Sequence, residues 1–142
     1  MKLQFNLQAD KPNSNGNIYP KDTLKKAIEE YNENYVKTGK ALGEISQPKD
    51  TTPNLSNVAF RISEIETSSS YSPISESYDD RWLAEIEILE TPMGKTLQEI
   101  FNKDMNIVTM GYGEVEEDED GNNIIKNFKI VGVGIEPKEK CA

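Results

Sequence analysis

The chain has 142 residues, 25 acidic against 16 basic side chains, a net charge of −9, one cysteine and no histidine. That length suits one domain, 1–142, with its own core, and the acidic balance argues against nucleic acid or an anionic membrane as partner. Without histidine a Ser-His-Asp, Cys-His or histidine-zinc chemistry is excluded, and the lone Cys141 excludes a cysteine-zinc site and an internal disulfide, so no metal or cofactor is expected.

No apolar run approaches the roughly 18 residues of a membrane span and no basic-then-apolar leader is present, so a soluble protein without a secretory signal is expected. Lys2 to Gln8 alternates, with Leu3, Phe5 and Leu7 on one side and Lys2, Gln4, Asn6 and Gln8 on the other, as a half-buried strand does. Asn13 to Asn17 is turn chemistry centred on Asn15-Gly16. After Ile18-Tyr19-Pro20, the residues Leu24, Ala27, Ile28, Tyr31 and Tyr35 recur at helical spacing, and Gly39 is a plausible stop.

Ala41-Leu42-Gly43-Glu44-Ile45-Ser46-Gln47-Pro48 reads as a short buried strand running into a turn. Gln47, placed before a proline, is pushed towards extended geometry that would project its side chain from the strand end. Lys49 to Asn57 is a polar loop. Val58, Phe60 and Ile62 alternate, and the change of phase towards Ile65 suggests a bulge. Residues 67–80, rich in Ser and Asp, are expected to form a surface loop.

Arg81 to Glu90 is a strand with Trp82, Ala84, Ile86 and Ile88 on one face. Thr91-Pro92 supplies a cap and first-turn proline for a helix carrying Met93, Leu97, Ile100 and Phe101. Extended structure follows through Ile107-Val108-Thr109-Met110-Gly111-Tyr112-Gly113. Residues 114–123 form an acidic hairpin tip turning at Asp120-Gly121. Glu116, Asp118, Asp120 and Gly121 have spacings like those of a calcium loop. Its last position would be Asn127, which lacks the bidentate carboxylate, so a solvated tip is expected instead. Ile124 to Ile135 is the return strand, and 136–142 a charged tail.

Four stretches in this order resemble the prohead maturation proteases of tailed bacteriophages, serine proteases that trim scaffold and capsid proteins during head assembly. Asn15-Gly16-Asn17-Ile18-Tyr19-Pro20 resembles the family's Asn-Gly-x-x-Tyr-Pro entry, and Leu42-Gly43-Glu44-Ile45-Ser46-Gln47-Pro48 its Leu-Gly-Glu-x-x-His-Pro box. Thr91-Pro92-Met93-Gly94-Lys95 matches a Thr-Pro-x-Gly-Lys helix start, and Thr109-Met110-Gly111-Tyr112-Gly113 falls on a Ser-Arg-Gly-x-Gly nucleophile segment. The resemblance implies an α+β fold, a small barrel-like mixed or antiparallel sheet flanked by helices. The six or seven strands and two main helices read above are compatible with that.

By the same resemblance the general base maps to Gln47, the nucleophile to Thr109 and the acidic third member to the stretch around Gly134 to Glu136, with Gly134 favoured. An amide takes no proton near neutral pH. The expectation is therefore a non-enzymatic virion protein, present in multiple copies as an auxiliary or decorating component of the capsid. It would be made in the host bacterial cytoplasm and would contact the major capsid protein or other virion proteins. The alternatives are an active maturation protease with Thr109 as nucleophile and a non-catalytic assembly partner of a separate protease.

Overall fold

In a computed structural model of the protein, residues 1–13, 15–46, 54–102 and 104–137 are described, with residues 77–79 described by their backbone alone. The elements run β1 (Lys2–Gln4), β2 (Asn17–Ile18), α1 (Lys21–Tyr31), β3 (Leu42–Ile45), β4 (Val58–Ser72), β5 (Ser77–Ile88), α2 (Pro92–Ile100), β6 (Met105–Glu117) and β7 (Asn123–Pro137). A π-helical turn over Asn32–Val36 extends α1. The expected mixed sheet of seven strands with two helices is present.

The sheet runs β1-β5-β4-β3-β7. One edge of β7 takes β2 near its start and β3 near its end, both parallel, while β6 pairs antiparallel along the other edge. The ladder does not close into a barrel. A single parallel bridge, Phe5 to Ile107, with Asn6 N–H donating to the Ile107 carbonyl at 2.9 Å, brings the end of β1 against β6.

Alternation decides which side chains enter the core. Leu3 and Phe5 in the first segment, Trp82, Ala84 and Ile86 in β5, and Ile107, Val133 and Ile135 in β6 and β7 are all buried together. They meet the stripe of α1, where Leu24, Ala27, Ile28 and Tyr31 are buried and the charged residues face solvent. Burial pushes the Tyr31 hydroxyl above its ordinary pKa, and the ring stacks on Tyr35 at 4.8 Å between centroids. α2, whose Leu97 joins the same core, is capped by Thr91. Its Oγ1 accepts from Gly94 N at 2.9 Å and donates to the Val58 carbonyl, tying the helix start to β4.

Residues 67–80 correct the expectation of a surface loop. Thr67 to Ser72 pairs with Ser77 to Trp82 in an unbroken antiparallel ladder, leaving only residues 73–76 as the turn. Backbone hydrogen bonds sustain the arm although its serines bury little, which is why no apolar alternation announces it. Its middle is tied to α1, where Lys21 Nζ lies 2.7 Å from Asp80 Oδ2 and Ser69 Oγ also donates to that carboxylate.

These contacts, led by the hydrogen bonds from Lys21 and Ser69, hold the Asp80 carboxyl below its ordinary value. A carboxyl lowered in the folded state contributes stability that is complete above its unfolded pKa, near 3.8. The contribution is lost as pH falls through the folded value. Asp80→Asn is expected to lower the urea midpoint modestly at neutral pH, with the gap to the parent closing in strong acid. An unchanged gap there would show that the Asp80 charge does not matter to the arm.

Glu114 to Glu117 belong to β6, so residues 118–122 make the turn between β6 and β7. Asp118 Oδ1 accepts from Asp120 N at 2.9 Å and Asn122 N at 2.8 Å, so this carboxylate builds the turn. In the tail, β7 continues to Pro137, and residues 138–142 lie outside the described ones.

Candidate active site

β3, β7 and β6 lie side by side, and their register sets which residues share a face. Gly43 pairs with Val133 and Val133 with Thr109, whereas Glu44 pairs with Gly134 and Gly134 with Val108. Residues paired across a ladder point to the same side. The first row therefore belongs to the core face, continued by Phe60 opposite Gly43, and the second to the outer face.

Of the sequence-derived candidates, Gly134 lies in the outer row and Thr109 in the inner one. The two are brought within one register step of each other but onto opposite sides of the sheet. Val108 is the residue of β6 that shares the face of Gly134, and it is buried. Sequence reasoning passed over Val108 because it has no reacting group. The parity that singles it out depends on a pairing with β7 that no local pattern reveals.

Gln47 falls outside the described residues, but both flanks of its segment are fixed. Ser46 N donates to the Ile135 carbonyl at 2.8 Å, extending the β3–β7 pairing by one residue. The backbone of Ser46 then turns into the left-handed region, φ 80°, which is uncommon for a residue with a side chain and which breaks the strand there. On the return, Asn54 N donates to Glu44 Oε1 at 3.0 Å. The Glu44 carboxylate thus ties Asn54 to β3, beside the outer row.

The same face carries more polar groups. Glu136 follows Gly134 by two residues and Asn106 precedes Val108 by two, so both share its side. Asn6, next to the bridging Phe5, does as well. The Oδ1 atoms of Asn6 and Asn106 are buried and accept no hydrogen bond from the described residues, an uncommon arrangement in a folded protein. The face thus offers two carboxylates, two unsatisfied amide oxygens and a strained strand exit. Among the described residues, no group of three or more Asp, Glu or Cys side chains could hold a metal ion, and no helix is long and apolar enough to cross a membrane.

The family model for the prohead core protein serine protease matches residues 4–137. Among solved structures, the capsid assembly protease gp21 of bacteriophage T4 is similar with a TM-score of 0.69 and 25% identity, over 94% of this chain and 79% of that one. No curated protein matches. Family and neighbour are both proteases. They overturn the expectation of a non-enzymatic chain, which rests on one amide at Gln47 and on roles assigned to Thr109 and Gly134. Replacing an imidazole closes one route of proton transfer and leaves carboxylate routes open. With the model spanning nearly all of its length, the chain belongs to the prohead core protein serine protease family.

Proposed function

We propose that the protein is a peptidase of phage head assembly, acting inside the prohead on capsid and scaffold polypeptides. The family match carries this reading, supported by a fold shared with a protease whose described role is capsid assembly. Capsid proteins are then its partners and the prohead its location.

The absence of histidine requires another proton acceptor. Glu44 is the carboxylate fixed in the outer row, held by Asn54 N and next to Gly134. In the proposed step Glu44 takes a proton from water as its oxygen bonds to the scissile carbonyl carbon. The proton passes to the leaving nitrogen as the carbon–nitrogen bond breaks. Thr109, on the core face with Ile107 and Val133, is set apart from this chemistry.

The test is incubation of the purified chain with capsid and scaffold proteins of its own phage, read by mass spectrometry of the products. Discrete cleavage that persists in Thr109→Ala is expected. Absence of any cleavage would overturn the peptidase reading, and cleavage abolished by Thr109→Ala would move the nucleophile to that hydroxyl.

A further inference from the structure

β6 is paired along one edge only. β7 covers that edge from Met105 to Glu117, while the other edge meets the single bridge at Phe5 and, beyond it, no described strand. Residues 111–117 are exposed, with Tyr112 at 59% and Val115 at 62%. An exposed strand edge of this length is a template for one more strand, and proteins usually cover it. This edge starts at the outer row and leads away from it.

The charge of the edge indicates what would lie there. Along the edge and its turn, six carboxylates fall between Glu114 and Asp120, against which the structure sets Lys126, paired with Glu116. An incoming chain would therefore bring positive charge along the edge.

We propose that an extended polypeptide segment carrying basic residues adds to β6 as a further strand along residues 111–117. Backbone hydrogen bonds would supply affinity and the carboxylates the preference for lysine or arginine. The inference rests on the peptidase reading for the identity of that segment, a stretch of substrate running out of the site.

The test uses a labelled synthetic peptide of alternating lysine and valine, a version N-methylated at every second amide, and a version with glutamate for lysine. Binding is read by fluorescence anisotropy and by amide hydrogen exchange of the full chain. The basic peptide is expected to bind and to slow exchange within residues 111–117. N-methylation should weaken it about tenfold or more, as loss of two or three backbone hydrogen bonds implies. The Glu114→Lys, Glu117→Lys double variant should shift preference to the glutamate peptide. Equal binding of the methylated peptide, or protection confined to another surface, would overturn the inference even if the chain cleaves capsid proteins. Methylation-sensitive protection of β6 without cleavage would support strand addition while the peptidase reading fails.

Discussion

Gly43→Ala is expected to lower the unfolding free energy by about 3 kcal/mol, a large part of what a domain of this size possesses. A Cβ built on Gly43 would lie 2.1 Å from Phe60 Cζ and 2.4 Å from its Cε1. Phe60 is fully buried and paired directly across the β3–β4 ladder, so its ring has no open space to take. Either the ring leaves its rotamer or β3 moves off β4, and both disturb a close-packed interior. Phe60→Leu removes the atoms at the ring tip at a cost on the order of 1 kcal/mol. The double variant Gly43→Ala, Phe60→Leu should then be more stable than Gly43→Ala alone, a coupling that a denaturation cycle measures. A loss within about 0.5 kcal/mol for Gly43→Ala would mean that the ring and strand yield without penalty.

Much of this architecture was legible because it is written in local patterns. The spacing of Leu24, Ala27, Ile28 and Tyr31 marks the buried stripe of α1, and Thr91-Pro92 marks the start of α2 with its cap in place. Leu3 and Phe5 face inward and Gln4 and Asn6 outward, as alternation requires. The arm formed by residues 67–80 stayed hidden, since its ladder is backbone pairing among serines and its sequence carries the composition of a loop.

The site was half legible for a different reason. Motif order located Gln47, Thr109 and Gly134 along the chain and gave Glu44 no role, because the function of a strand residue depends on its face, and face depends on register. The parallel pairing of β3 with β7 joins residues about ninety positions apart, and a shift of one residue in β6 would put Thr109 in place of Val108 in the outer row. The left-handed Ser46 and the unsatisfied oxygens of Asn6 and Asn106 likewise arise from tertiary arrangement.

Glu44→Gln is expected to slow capsid-protein cleavage by about 10²- to 10⁴-fold, the usual loss when a general base is removed, while leaving thermal stability close to that of the parent. The substitution is informative because the side chain has two roles that an amide separates. Its oxygen can still accept the hydrogen bond from Asn54 N, now 3.0 Å from the carboxylate, so Asn54 remains strapped to β3. Its affinity for a proton is gone. Glu44→Ala removes both and should in addition release Asn54, seen as faster amide exchange at that residue. If the glutamine variant cleaves at the parental rate while the alanine variant does not, Glu44 serves only as the strap and the proton acceptor lies elsewhere. The pH dependence gives an independent reading. With no histidine in the chain, the rate should show no inflection in the imidazole range near pH 6.5.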